Sequence, residues 1–151
     1  MDERRRPCLI GQAPSRSSDP SKPLSGDPLA SRLAAMSGLT KKAYLVRFER
    51  ANLLDAWPGK GGKGDAFPRA EARAAAAKME PLLRGRTVVF VGASVARAFG
   101  VKIPFYLQWA SWNEGWAAVL PHPSGINRWY NEPANALCAE RFMRRLAKCA
   151  G

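Results

Sequence analysis

The chain has 151 residues, of which 24 are Lys or Arg and 12 are Asp or Glu, so its formal net charge at pH 7 is +12. A hydrophobic share of 46% excludes a disordered protein, and no apolar run approaches the roughly 20 residues that span a membrane. We expect residues 1–151 to form one domain with one core. The excess of positive charge indicates a polyanionic partner, nucleic acid first, although charge alone does not separate DNA, RNA and an anionic membrane.

The cysteines and the N-terminal sequence predict a cytoplasmic protein without a metal centre. Cys8, Cys138 and Cys149 are odd in number and form no C-x-x-C pair, which argues against a disulfide framework and against a zinc or cluster site. The opening residues, MDERRRPCLIG, lack the apolar stretch of a signal peptide. We therefore expect a cytoplasmic, nucleoid-associated monomer that needs no metal and no cofactor.

Predicted strands and helices alternate along the chain. Four strands are predicted, over residues 7–10, 44–48, 86–92 and 115–120, and the second runs on into residues 49–54. Helices are predicted over residues 28–36, 68–83 and 93–99, followed by an amphipathic C-terminal helix with an apolar and a basic stripe. The alternation predicts an α/β fold, a three-layer α/β/α sandwich with a central, mainly parallel four-stranded sheet.

Two irregular segments interrupt this pattern. The Pro- and Ser-rich residues 12–26 form a long loop of the kind that is usually functional. Residues 57–64, WPGKGGKG, lack the G-x-x-x-x-G-K-[ST] spacing, so a nucleoside-triphosphate site is rejected. This second loop is predicted to touch a nucleic-acid backbone or to be a solvated linker.

Distinctive residues follow three of the four predicted strands. They are the stretch GQAP at residues 11–14, Asn52, and His122, which is the only histidine. Ligands of parallel sheets bind beyond the carboxyl ends of the strands, so we expect these residues to converge. A neutral imidazole can donate a hydrogen bond to an oxygen that gains charge, and an Asn side chain matches the polar edge of a heterocycle. Together with the Ser-Gly-Ile loop after His122, these groups describe a pocket for an extruded base beside an apolar wedge.

Five segments carry a resemblance to a known family. They are GQAPSR at 11–16, PLSGDPLASRLAAMSGL at 23–39, FERANLL at 48–54, VVFVGASVARAFG at 88–100 and HPSGINR at 122–128. In this order they resemble the uracil-DNA glycosylase superfamily. The second segment is similar to the thermophile-type branch. The third is similar to the segment with the base-reading asparagine. The last shares His-Pro-Ser with several branches and is similar to the mismatch-specific branch in Pro-Ser-Gly-x-Asn-Arg.

The resemblance implies a role for each matching residue of the base pocket. Asn52 would read the flipped base, and His122 would stabilise the anion that develops on the leaving base. Gly11, Gln12 and Ala13 would bring backbone groups to the base. The alternatives are a structural histidine and an asparagine that caps a strand end.

The residues after His122 would contact DNA. The resemblance implies that Ser124 and Gly125 hold a phosphate, that Ile126 enters the duplex, and that Asn127 and Arg128 contact the opposite strand or the backbone. Ile126 as a core residue is the alternative. Trp129 and Tyr130, just beyond, are the aromatic residues most suspected of touching DNA, although packing is the commoner use of such rings.

Three departures from the family pattern bear on activity. Ala13 stands where the best-known branch has a water-activating aspartate, and Leu24 stands where the thermophile-type branch has a stacking phenylalanine. The iron–sulfur cysteines of that branch are absent. Asp19 is the nearest candidate to orient water or to stabilise a sugar cation, with a turn residue as its alternative.

The residues and the resemblance together predict a monofunctional DNA glycosylase. It would flip out and hydrolytically excise uracil or a related deaminated base from single- or double-stranded DNA, as the first step of base excision repair. A DNA-binding relative that senses a flipped base without cleaving it is the main alternative, and Ala13 motivates it. An RNA-directed binding protein is favoured by the positive charge alone.

Overall fold

The fold was obtained as a computed structural model, which describes residues 6–62, 65–102, 105–124 and 127–149. Strands and helices alternate along most of these residues. The strands are β1 (Cys8–Gly11), β2 (Glu49–Asn52), β3 (Thr87–Val91), β4 (Ala110–Trp112) and β5 (Gly115–Leu120). The α-helices are α1 (Leu29–Met36), α2 (Lys41–Arg47), α3 (Arg69–Met79), α4 (Ala93–Ala98) and α5 (Pro133–Cys149). Short 3-10 helices cover Glu80–Leu83 and Arg128–Asn131. Within these ranges every helix is too short or too polar to span a bilayer.

The strands form one sheet in the order β2-β1-β3-β5-β4. Neighbouring strands are parallel except β4 and β5, which are antiparallel. The predicted α/β fold is confirmed, but the sheet has five strands where four were predicted. The additional strand, β4, has three residues and no β-branched run to reveal it. It joins β5 through a two-residue turn at Asn113 and Glu114, whose φ angles of 51° and 61° suit the type I′ turn of a hairpin.

The predicted second strand is wrong at residues 44–48. Residues 41–47 form α2 instead, and the strand begins only at Glu49. Thr40 caps the helix, because its side-chain oxygen accepts a hydrogen bond from the Ala43 backbone N–H at 3.1 Å. Tyr44 and Phe48 are four residues apart, both fully buried, with ring centroids 5.8 Å apart. The apolar pattern therefore had the spacing of one helix face, which outweighed the β propensity of its residues.

Side chains of the central strands alternate between two cores. Val88 and Phe90 of β3 pack with α3 and α4, whereas Val89 and Val91 pack with α1, α2 and α5. Burial on both faces explains why this strand reads as a continuous apolar run. The apolar stripe predicted for the C-terminal helix is buried at Ala139, Met143, Leu146 and Ala147.

Candidate functional site

A small cavity lies at the edge of the sheet where β1, β2 and β5 end. Its volume is about 240 Å³, less than the roughly 300–1,000 Å³ of sites for drug-sized ligands. It therefore has room for a group of the size of one heterocyclic base. The residues predicted for the site that line it are Ala13, Asp19, Leu24, Asn52, His122 and Ser124.

Gly11 allows the wall of this cavity to close. It lies opposite Asn52 in the register of β1 and β2. A Cβ added at Gly11 would lie 2.6 Å from Asn52 Oδ1 and 2.6 Å from Leu24 Cδ2. Leu24 has a φ of 52°, and its carbonyl accepts a hydrogen bond from the buried Tyr44 hydroxyl at 2.8 Å. A positive φ at a residue other than glycine is strained and persists only where the surrounding structure fixes it. Residues with this strain cluster at ligand-binding sites.

Asn52 lines the cavity and has a buried, unbonded side-chain oxygen. Its side-chain Oδ1 is inaccessible to solvent and has no hydrogen-bond partner among the residues that the structure describes. A buried acceptor without a donor costs about 1–3 kcal/mol, and folded proteins keep few of them. Rotation of the Asn52 side chain towards the cavity would let the N–H of a ligand bond this oxygen.

His122 is half-buried between Pro121 and Pro123. Its backbone carbonyl accepts hydrogen bonds from the Ser124 N–H at 2.9 Å and from Asn127 Nδ2 at 2.8 Å, which fixes the direction of the chain after β5. Burial lowers the pKa of His122, the positive charge of Arg32 lowers it further, and Asp65 opposes the two. The imidazole is therefore neutral at neutral pH, and one ring nitrogen carries a proton that it can donate.

Arg32 and Asp65 also line the cavity, and neither residue was predicted from the sequence to belong to the site. Arg32 Nη1 donates to the Pro123 carbonyl at 3.1 Å. Asp65 accepts a hydrogen bond from Trp57 Nε1 at 2.9 Å and pairs with Lys60 in an isolated β-bridge. Arg32 lies in the family-like segment at 23–39, and Asp65 directly follows the Gly- and Lys-rich loop at 57–64. Only the folded chain brings them to His122.

Asp19 and Gln12 are used in local structure. The Asp19 carboxylate is exposed and accepts hydrogen bonds from the Ser21 N–H at 2.9 Å and from the Ser21 hydroxyl at 2.7 Å, which lower its pKa. Asp19 thus makes the contacts of a turn residue while also lining the cavity. Gln12 does not line it: the Gln12 carbonyl accepts from Leu54, and Nε2 donates to Ala66 at 3.2 Å. Gln12 therefore connects the end of β1 to the segments at Leu54 and Ala66 and does not contact the cavity.

The predicted DNA-contact segment is described in part. Gly125 and Ile126 lie outside the described residues, so their roles stay predictions. Asn127 Oδ1 accepts a hydrogen bond from the Trp129 N–H at 3.1 Å, while its Nδ2 bonds His122, so its amide is occupied within the loop. Arg128 is exposed at the start of a 3-10 helix. The DNA contacts predicted for both residues stay predictions.

Trp129 and Tyr130 support the segment that carries His122. Both are half-buried and pack against the core on the α5 side, with ring centroids 4.8 Å apart. The Tyr130 hydroxyl donates to the Pro121 carbonyl at 2.5 Å. Tyr130, packed against Trp129, therefore holds the chain just before His122.

Comparison with known proteins gives this site no assignment. The chain matches no protein-family model and no curated protein. In the described ranges, no group of three or more His, Cys, Asp or Glu side chains is placed to hold a metal ion.

Proposed function

We propose that this protein is a DNA glycosylase that excises uracil, or a related deaminated base, by hydrolysis. The observation that carries the proposal is the unbonded Oδ1 of Asn52, which shares a base-sized cavity with the neutral imidazole of His122. The resemblance to the uracil-DNA glycosylase superfamily supports the same assignment of these two residues. The net charge of +12 suits a DNA substrate.

In the proposed complex, Asn52 selects the base. The ring N–H of uracil donates to Oδ1, and the Asn52 amide N–H donates to a carbonyl of the same base. Cytosine has no N–H at the corresponding ring position, so it would leave the buried oxygen unbonded. That loss costs about 1–3 kcal/mol, which favours uracil over cytosine.

In the proposed reaction, His122 stabilises the leaving base. The glycosidic bond breaks heterolytically: its electron pair moves to the base, and the sugar becomes an oxocarbenium ion. The neutral imidazole donates a hydrogen bond to the base oxygen on which the negative charge collects. Water then adds to the sugar carbon and releases a proton to solvent, and the base anion takes up a proton from solvent, so the products are the free base and an abasic site.

Two carboxylates at the cavity are suited to stabilise the positively charged sugar. Asp19 and Asp65 line the cavity, and negative charge near the sugar stabilises a cation there. In a dissociative reaction the cation is captured readily, so water needs little activation. Ala13 in place of an aspartate is therefore compatible with the proposal.

The test is a single-turnover assay with protein in excess. Each duplex carries one uracil, hypoxanthine, xanthine or hydroxymethyluracil, a duplex with thymine at that position is the control, and abasic sites are scored by alkaline cleavage. We expect abasic sites in the uracil duplex and none in the control. The absence of abasic sites in all four modified duplexes would contradict the proposal.

The second candidate is a DNA-binding protein that senses an extruded base without cleaving it. The alanine at position 13, which cannot activate water, favours this candidate. The same duplexes separate the two functions, because a sensor would bind the uracil duplex more tightly than the control and leave no alkali-labile site.

A further inference from the structure

A second cavity, a groove of about 950 Å³, lies along α5. No described residue lines both this groove and the cavity that Asn52 lines. The end that we call upper, near the start of α5, is formed by Trp129 and Tyr106, whose ring centroids are 5.7 Å apart in an edge-to-face arrangement. The lower end reaches the first residues of β3 and β5. We call it the α5 groove, and its lining residues that carry the argument are Tyr106, Trp109, Trp116, Trp129, Arg141 and Arg145.

Large aromatic rings stand open in the α5 groove. Trp116 is 55% exposed, Trp109 is 42% exposed and Tyr106 is 40% exposed. The Trp109 ring stacks on Phe142 of α5 at a centroid distance of 5.2 Å, so it is braced while still open to solvent. A cluster of exposed aromatic side chains on a globular domain marks an interaction site.

The charged residues that line the described part of the α5 groove are all positive. They are Arg141 and Arg145, and none of the described lining residues is acidic. Neither arginine has an ion-pair partner among the described residues, whereas Arg144 on the same helix pairs with Glu140 at 3.0 Å. Like charges four residues apart on a helix repel each other, so an anion between Arg141 and Arg145 would relieve that repulsion.

We propose that the α5 groove binds a single-stranded segment of nucleic acid. Each unpaired nucleotide offers a flat base for a ring and a phosphate for an arginine, and this pairing recurs in sites that bind single strands. A duplex does not fit this chemistry, because its bases are already stacked. From Asn135 to Cys149 the helix rises about 21 Å at ~1.5 Å per residue, the length of roughly six stacked nucleotides at ~3.4 Å each.

The position of the α5 groove fits a strand that continues from the candidate site. Trp129 belongs to the groove, and its neighbour Tyr130 bonds Pro121, the residue before His122. DNA bound at His122 would thus meet the upper end of the groove. Binding in the groove needs no modified base, so the inference stands or falls independently of base excision.

The first experiment compares two charge reversals by the anisotropy of a labelled, unmodified oligo(dT) of about twelve nucleotides. Arg141→Glu with Arg145→Glu changes the groove, whereas Arg69→Glu with Arg73→Glu changes exposed positions on α3, across the sheet. Both double variants lower the net charge equally. We expect the groove variant to weaken binding by at least ~10-fold and the α3 variant by no more than ~2-fold. Equal losses would show attraction by overall charge alone and would overturn the proposal.

The second experiment tests the rings at constant charge. Trp116→Ala should weaken oligo(dT) binding by roughly 5-fold or more, because base–aromatic stacking is lost. Leu82→Ala, at a 76% exposed position outside the groove, is the matched control and should bind as the native chain does. Melting curves confirm that both variants fold. An unchanged affinity for Trp116→Ala would overturn the proposal.

The reactivity of two cysteines measures directly whether the α5 groove is occupied. Cys138 and Cys149 are exposed and line the α5 groove, whereas Cys8 is buried. Bound oligo(dT) should slow alkylation of Cys138 and Cys149 by N-ethylmaleimide in the native chain, and not in the Arg141→Glu, Arg145→Glu variant. Protection by a poly-glutamate peptide equal to that by oligo(dT) would indicate an acidic protein partner instead. Protection that rises with protein concentration without any oligonucleotide would indicate a second copy of the chain. Either result would overturn the proposal.

Discussion

At the scale of single residues, the buried Oδ1 of Asn52 sets opposite expectations for stability and for excision. Asn52→Ala removes a buried acceptor that no described residue bonds, so the free energy of unfolding should stay the same or rise by up to about 1–3 kcal/mol. The same change should slow excision by about 2–4 kcal/mol of transition-state stabilisation, since the base loses its polar contacts. Denaturant melts and single-turnover rates measure the two effects. A large loss of stability with normal excision would assign Asn52 a structural role.

Gly11→Ala tests the packing around the Asn52 side chain. The new methyl would lie 2.6 Å from Asn52 Oδ1 and 2.6 Å from Leu24 Cδ2, so both side chains must move. Here we expect stability and excision to fall together, by ~1–3 kcal/mol in the free energy of unfolding. A variant with native stability and native excision would show that the wall of the cavity is not closely packed.

His122 should be indispensable for excision and dispensable for binding. His122→Ala should reduce the single-turnover rate by about 2–4 kcal/mol, the range for a lost donor to a developing anion. Affinity for uracil-DNA should change far less, because phosphate contacts dominate it. Asp55→Ala, at an exposed position that does not line the cavity, is the control. Excision at the native rate by a folded His122→Ala variant would refute the mechanism.

The titration of His122 is directly observable, because it is the only histidine. Its NMR signal should titrate below the ordinary value of about 6.5, since burial and Arg32 lower its pKa while Asp65 raises it. Arg32→Gln should therefore raise this pKa, and Asp65→Asn should lower it further. Shifts in the reverse directions would show that neither charge lies where the structure places it.

The same shift predicts the pH dependence of stability. The unfolded chain protonates its histidine as the pH falls past about 6.5, whereas the folded chain does so only at lower pH. The contribution of His122 to stability is therefore complete above about pH 6.5 and is lost as the pH falls towards the folded-state pKa. The acid-induced loss should be smaller in His122→Gln. An equal loss in both proteins would place its cause at other groups.

At the scale of elements, the strands with buried, continuous apolar runs were predictable, and the elements defined by local geometry were not. β3 and β5 appear where the sequence predicts them. α2 was missed because Tyr44 and Phe48 have high β propensity, and their four-residue spacing becomes decisive only once Thr40 caps a helix. β4 was missed because its pairing depends on the backbone of the turn that follows it.

The turn between β4 and β5 can be tested by two substitutions of opposite effect. Glu114 has a φ of 61°, and its ion pair with Arg84 is exposed, so Glu114→Gly should stabilise the fold by about 0.5–1 kcal/mol. Gly115→Ala should destabilise it by at least ~2 kcal/mol, because the new Cβ would lie 2.3 Å from the Arg86 carbonyl oxygen. Chemical denaturation measures both. Destabilisation by Glu114→Gly would contradict the turn type.

At the scale of the whole molecule, the candidate site was predictable in part. Asn52 and His122 end parallel strands, and the convergence of such ends is a property of the fold class. Arg32 and Asp65 reach the cavity by way of a helix and a loop, so no local pattern places them near His122. The α5 groove likewise exists only when residues 106–109 lie against α5.

The distribution of charge over the molecule predicts that added salt weakens DNA binding but hardly changes the rate of the chemical step. The cavity is lined by both signs, with Asp19, Asp27 and Asp65 beside Lys22 and Arg32, while the chain as a whole carries +12. Affinity for DNA should therefore fall by roughly 10²- to 10³-fold between 50 and 200 mM salt if about four to six phosphates are contacted. Partly buried groups are screened much less, so the single-turnover rate at saturating protein should stay within about 2-fold. A saturated rate that falls in parallel with affinity would mean that exposed charges, rather than Asn52 and His122, govern the chemical step.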